Sequence, residues 1–307
     1  MDLTLLVTQL LNGVQLGILL FLLASGLTLI FGIMDFVNLA HGSLYMAGAF
    51  FCAWFAQISG SFIYGILFAL PATAALGLFI EMVVVRKLYQ RDHLDHVLAT
   101  FGLILVLDTA AHMVWGPDGF VVALPAWLEG LVEITDGIVI PLYRLVIIGV
   151  GLGVAVGLFL IVTRTRLGMR IRAGASNRDM IGALGVDINL LFTLVFAIGA
   201  VLAGLAGMMI SPIIEASIGM GNSIIIVAFV VIVIGGIGSI KGAFIAAIIV
   251  GLIDTMGRSY LDALFKHFMT NQNAETSAPA ISAMLIYILM AVVLAVRPQG
   301  LFPPKGR

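Results

Sequence analysis

No lysine or arginine occurs in the first 85 residues of this chain, and none between Arg91 and Arg144, whereas five of the fifteen fall between Thr163 and Asn189. Those five, Arg164, Arg166, Arg170, Arg172 and Arg178, sit inside an otherwise oily sequence. An arginine at the centre of a membrane helix costs roughly 2.5–3.5 kcal/mol, so five together would cancel the gain from a whole apolar span. The segment 163–189 must therefore be a loop on the positive, cytoplasmic side of a membrane.

Composition requires a membrane. Hydrophobic residues make up 62% of the chain and charged residues 10%, against about a quarter charged in soluble domains. Apolar blocks near residues 6–31, 42–57, 62–85, 97–115, 142–162, 190–211, 224–240, 242–257 and 280–296 are candidate spans. Several fall short of the roughly 20 residues that cross a bilayer. The expected fold is an all-α polytopic membrane protein of about 8–10 transmembrane helices, one transmembrane domain over 1–307 with the basic loop 163–189 inside it.

Positive flanks set the expected orientation: Arg86, Lys87 and Arg91 inside, the 164–178 cluster inside, and Arg297, Lys305 and Arg307 inside. The N-terminus then falls outside, as does the connector 116–141, which carries four acidic residues and no basic one. The polar stretch 260–279 is also placed outside, against the presence of Arg258 and Lys266. Met1–Thr4 lacks a basic n-region, so the first helix reads as a retained span.

Within the basic loop, Ser176 followed by Asp179 has the form of a helix cap with an acidic third residue, and Gly185 stands where a helix would stop. Met180, Ile181 and Leu184 would share one face of two helical turns, with Asn177, Arg178 and Asp179 in water. The segment is either a solvated basic loop or a small knob that docks on another protein.

Two short blocks interrupted by glycine and polar residues occupy comparable places in the two halves: Gly32–Gly42 and Gly235–Gly242. Irregular backbone at membrane depth is tolerated where protein buries it or a cavity solvates it, so paired interruptions point to a translocation path, the alternative being short loops between helices. Asp35, Asn38 and His41 recur at three-residue intervals, so one helical turn would gather them on one side; His41 could hold a freed carbonyl or couple transport to protons. Gly149, Gly153 and Gly157, and Gly199, Ala203 and Gly207, form small-residue strips suited to close helix packing.

Catalytic chemistry is not encoded. Cys52 is the lone cysteine and the five histidines are scattered, so neither a disulfide nor a metal centre is expected. Residues 235–242 lack the ending of a phosphate-binding loop, and no nucleophile elbow or catalytic pair appears. Among the ionisable groups near membrane depth, Glu81 can pair with Arg86, and Asp108 with His112.

The stretches GLTLIFG (26–32), NLAHG (38–42), YMAG (45–48), RAGA (172–175) leading to Gly185, and GGIGS (235–239) with Gly242 together resemble the permease subunit of branched-chain amino-acid ABC importers, in order and over nearly the whole chain. The resemblance implies a bundle with a broken central helix, as in ribose-type sugar permeases. It implies a second homologous permease subunit, two cytoplasmic ABC ATPases that hydrolyse the ATP, a periplasmic binding protein, a bacterial inner membrane, no cofactor and no nucleic acid. Ser176, Arg178, Met180, Ile181, Leu184 and Gly185 become the coupling helix, and Asn38, His41, Gly42, Gly235, Gly236, Gly238 and Ser239 the lining of the path. Relatives move leucine, isoleucine and valine, other apolar amino acids, urea or small aromatic acids, and the binding protein usually selects among them. The competing classes are a proton- or sodium-coupled transporter using Asp35, His41 or Asp254, and an intramembrane enzyme.

Overall fold

A computed structural model describes residues 3–135 and 138–303. Lys305 and Arg307, counted in the last basic flank, lie outside the described residues. All nine apolar blocks are helical: α1 (Leu3–Met34), α2 (His41–Ser59), α3 (Phe62–Val83), α4 (His93–Trp115), α5 (Leu142–Arg164), α8 (Ile188–Ile210), α9 (Met220–Gly235), α10 (Ile240–Phe265) and α11 (Asn271–Val296). Between α5 and α8 lie two short helices, α6 (Arg166–Ser176) and α7 (Arg178–Ala183). Among the described residues seven helices are long and apolar enough to cross a membrane; α2 and the shorter α9 are not among them. The protein is an all-α polytopic membrane protein.

Helix α1 is the centre of the bundle, because it is apolar on every face and can be satisfied only by protein on every side. It packs chiefly against α10 and α8, with α5 and α9 filling the remaining sides. Glycine makes these contacts close: a Cβ at Gly17 would strike the backbone of Ala247 and Ile248, and one at Gly26 the backbone of Gly199. Lipid gives no hydrophobic drive between helices, so such backbone approach is what holds them. The two small-residue strips diverge here. Gly199, Ala203 and Gly207 are consumed inside the subunit, against Ile30 and Tyr45 among others, whereas Gly149, Gly153 and Gly157 on α5 have no atom within 4 Å of their Cβ positions.

The connectors 116–141 and 260–279 both carry secondary structure. The stretch 116–141 contains an antiparallel hairpin, β1 (Leu131–Thr135) with β2 (Ile138–Pro141). The polar stretch 260–279 is mostly helix: α10 runs on to Phe265, and Asn271–Pro279 forms the first turns of α11. Its two awkward cations are both paired. Arg258 bonds Asp254 at 3.0 Å, and Lys266 bonds Asp262 at 2.9 Å and Glu275 at 3.2 Å, so this end of the bundle carries no unpartnered positive charge from them.

Candidate functional site

The first interrupted block is a span that is half extended and half helical. α1 ends at Met34, Asp35 adopts a left-handed φ of 51°, and the chain turns back along α4. Asp35 lies 3.9 Å from His93, the Phe36 ring 4.4 Å from that of His96, and the Leu39 amide donates to Thr100 Oγ1 at 3.3 Å. Contacts that advance from 93 to 100 record a segment climbing into the bundle. His41 then meets the Leu23 carbonyl, which is about 16 Å along α1 from Met34, and six residues extend at most about 20 Å. The expectation that one helical turn gathers Asp35, Asn38 and His41 is thus corrected: the backbone is not helical there, and Asp35 remains half exposed while Asn38 and His41 are sealed in.

His41 is wholly buried, with Nε2 3.2 Å from the Leu23 carbonyl oxygen. A carbonyl can only accept, so Nε2 carries the proton. His41 Nδ1, both side-chain polar atoms of Asn38 and the hydroxyls of Ser43 and Thr28 are buried without a partner among the described residues. Each such group costs about 1–3 kcal/mol when dry. Immediately after His41, Gly42 meets Gly221, the second residue of α9; a Cβ on either would collide with the other's backbone carbonyl. The starts of the two short helices α2 and α9 therefore cross backbone on backbone. Gly221 was not foreseen; the Gly219-Met220-Gly221 spacing ahead of a short apolar helix is the sequence signal for it.

The second block, 235–242, is a tight turn at the end of α9. Gly236 and Gly238 take φ values of 104° and 85°, open to glycine at little cost. Ser239 Oγ accepts from the Gly242 amide at 3.1 Å and caps α10. The last carbonyls of α9, Ile234 and Gly235, accept from Leu301 and Phe302 at 2.8 and 3.0 Å, so the C-terminal segment satisfies groups that a helix end leaves free. The two blocks touch where a Cβ on Gly32 would lie 2.9 Å from Gly238 Cα. They are otherwise apart. His41 stands against Gly26, six residues or about 9 Å deeper along α1. Gly238 and Ser239 line a cavity of about 420 Å³; Asn38, His41, Gly42, Gly235 and Gly236 do not.

In the basic loop, α6 is amphipathic, burying Gly168, Ile171 and Gly174 while Arg166, Arg170 and Arg172 stay exposed. Ser176 is its last residue, so the capping role expected of it falls to Asn177, whose Oδ1 accepts from the Met180 amide at 2.9 Å. α7 ends at Ala183, and past its cap Gly185 takes φ 85° with a Val186-to-Ile181 backbone bond closing the turn. The shared face is also corrected. Ile181 is buried at 6% exposure, whereas Met180 and Leu184 are 60% and 76% exposed; one turn of helix cannot turn all three outward while α7 leans on α8.

A buried charge cluster braces this region. Glu81 is fully buried at the end of α3 and binds Arg86 with both oxygens, at 3.2 and 3.0 Å. It also accepts from Tyr89 Oη at 2.5 Å and from Thr193 Oγ1 of α8 at 3.0 Å. Tyr89 packs edge-on to Phe192 at 5.0 Å, and the Arg178 guanidinium of α7 lies 5.7 Å from the same ring. Burial first, then the bond from Glu81, pushes the Tyr89 phenol above its usual 10.0. The Glu81–Arg86 pair was legible in sequence; Thr193, 112 positions away, was not. Asp108 pairs with Asn222 at 3.1 Å and not, as expected, with His112.

Among the described residues no cluster of His, Cys, Asp or Glu could hold a metal ion. No solved structure matches the chain. The permease protein BraD of the high-affinity branched-chain amino acid transport system of Pseudomonas aeruginosa is 30% identical over 95% of this chain and 94% of its own length. LivH, the corresponding high-affinity permease protein of Escherichia coli strain K12, is 28% identical over 95% and 94%. Residues 9–294 match the family described as the permease component of the branched-chain amino acid transport system, and with the broken second span and nine apolar helices in place, the chain belongs to that family of membrane transport permeases.

Proposed function

We propose that this chain is one permease subunit of an ATP-driven importer in a bacterial inner membrane, moving branched-chain or related small amino acids delivered by a periplasmic binding protein. A second homologous permease subunit and two cytoplasmic ABC ATPases complete the machine. The whole chain acts as one permease domain, with 163–189 as its coupling loop. The observation that carries this reading is α7, a capped, braced helix presenting Met180 and Leu184 to solvent beside exposed arginines. An apolar pair held out from a basic loop suits a groove on a partner. The buried Asn38 and His41, with their unpartnered atoms, support a path that becomes hydrated or occupied in another state of the cycle, since dry burial leaves them uncompensated. His41 in this reading ties the start of α2 to the Leu23 carbonyl of α1. Of the groups considered for ion coupling, Asp254 is tied to Arg258.

Leu184→Asp is expected to abolish co-purification of the ATPase subunits while the permease still inserts and folds. Burying an unpaired carboxylate in an apolar groove costs about 3 kcal/mol or more, a factor of over a hundred in affinity. Full ATPase retention and unchanged leucine uptake by this variant would refute the docking role. Ile181→Asp is the wrong probe, because it would disturb the subunit's own packing.

Sidedness has its own test. With Cys52 replaced by alanine, a cysteine introduced at the exposed Glu129 is expected to react with a membrane-impermeant thiol reagent in intact cells, and one at the exposed Arg170 only after lysis. The opposite labelling pattern would invert the topology and remove α7 from the cytoplasm.

A further inference from the structure

We infer that the crevice between α5 and the start of α10, at the arginine-rich end of the bundle, holds an anionic phospholipid, with Arg172 and Lys241 on its phosphate. The cavity of about 420 Å³ has Thr28, Leu29 and Ile33 of α1 as its floor, with Phe159 of α5 and Arg172 of α6 on one side and Lys241 of α10 on the other. α5 and α10 both pack on α1 and have little contact with each other. The crevice is therefore a groove on the side of the bundle and not a channel through it.

Its chemistry is divided as an amphiphile is divided. Leu29, Ile33 and Phe159 offer acyl chains an apolar wall, while Arg172 and Lys241 bring two cations to the same crevice. Neither has a carboxylate within 4.0 Å among the described residues. Arg172 donates to the Val162 carbonyl near the end of α5, and Lys241 lies 5.7 Å from the Phe302 ring centroid, so both are held in place with their charge uncompensated. Lys241 also belongs to the first turn of α10, whose dipole favours an anion at that point.

A soluble anion would leave the apolar wall wet, and a zwitterionic lipid would bring its own cation to two that are already unpaired. An anionic phospholipid satisfies both halves. Exposed Arg164, Arg166 and Arg170, close in sequence to the lining residues Thr163 and Arg172, add to the attraction for an anionic leaflet. The inference does not depend on which substrate the permease carries.

The test is made on the full-length permease with its partner subunits, delipidated in mild detergent and offered phosphatidylglycerol, phosphatidylcholine or inorganic phosphate. Bound lipid is counted by native mass spectrometry. Wild type is expected to retain phosphatidylglycerol over phosphatidylcholine. Lys241→Gln and Arg172→Gln should each reduce that ratio about fivefold, the worth of roughly one cation near a lipid headgroup, and Arg258→Gln at the other end should leave it unchanged. Because Arg172 also holds the end of α5, Lys241→Gln is the deciding variant, and the ratio of two lipids is insensitive to a general loss of stability. An unchanged ratio in Lys241→Gln overturns the proposal. So does displacement of the lipid by millimolar inorganic phosphate, which would mark a soluble-anion site, and so does the absence of any lipid preference in wild type, which would mean that another subunit covers the groove.

Discussion

Gly221→Ala is expected to destroy the fold of the permease, while Gly153→Ala leaves its thermal stability within about 1 kcal/mol, the scale of the helix-propensity difference between the two residues. The same methyl group meets opposite surroundings. At Gly221 it would be driven into the Gly42 carbonyl, and the atom in the way is main chain, anchored through His41 to the Leu23 carbonyl and through Leu39 to Thr100. Nothing flexible can yield, so α2 and α9 must separate, and overpacking of that kind costs about 3 kcal/mol or more. At Gly153 no atom lies within 4 Å. Thermal unfolding of the isolated subunit in detergent, followed by tryptophan fluorescence, makes the comparison. Equal midpoints for the two variants would show that the crossing of α2 and α9 is not what holds the two short helices. Gly42→Ala should reproduce the loss, since the collision is reciprocal.

How much of this was readable beforehand depended on whether the determining contact was local. The nine apolar blocks follow from transfer energies summed along the chain, and each became helix as expected; the basic segment 163–189, expected to hold one helix of about two turns, holds two, α6 and α7. The interruptions at 32–42 and 235–242 were also visible, because glycine and polar residues inside oily sequence are costly unless the fold uses them. What they do was not. Nothing in NLAHG says that its backbone is extended, that His41 reaches back 18 residues to Leu23, or that Gly42 abuts Gly221. The two blocks also looked equivalent in composition. One is a half-span deep in the bundle, and the other is a capped turn sewn to the C-terminal segment by Leu301 and Phe302. The face of α7 was misread for the same reason: periodicity grouped Met180, Ile181 and Leu184, but only packing against the rest of the subunit decides which of them is turned inward.

Glu81→Ala is expected to destabilise the permease by about 2–3 kcal/mol, and Glu81→Gln by less. Removing one partner of a buried ion pair ordinarily costs about 3–5 kcal/mol; here Arg86 is 42% exposed and can turn its charge to water, which lowers the figure. The remaining loss comes from Tyr89 and Thr193, whose hydroxyls both donate to Glu81; Tyr89 would be left without an acceptor, while Thr193 keeps the Asn189 carbonyl at 2.8 Å. Glutamine keeps a carbonyl oxygen for one of them and forfeits the ionic part. Because the folded state holds the Tyr89 phenol above its usual 10.0, the contribution from Tyr89 is intact at all pH values below about 10. It falls only as pH rises past that point, where the unfolded chain ionises first; stability measured from pH 6 to 9 should therefore show no step from this group. The position of the cluster gives the functional consequence. Glu81 fastens α3 to Thr193 of α8, the neighbouring Phe192 ring lies between Tyr89 and Arg178, and Arg178 opens α7. On the proposed reading, α7 can transmit motion from an ATPase only if it is fixed to the spans it must move. Glu81→Gln, folded but loosely braced, should therefore retain bound ATPase subunits and hydrolyse ATP while transporting less substrate per ATP consumed. A transport-to-hydrolysis ratio equal to that of wild type in reconstituted vesicles would confine Glu81 to stability alone.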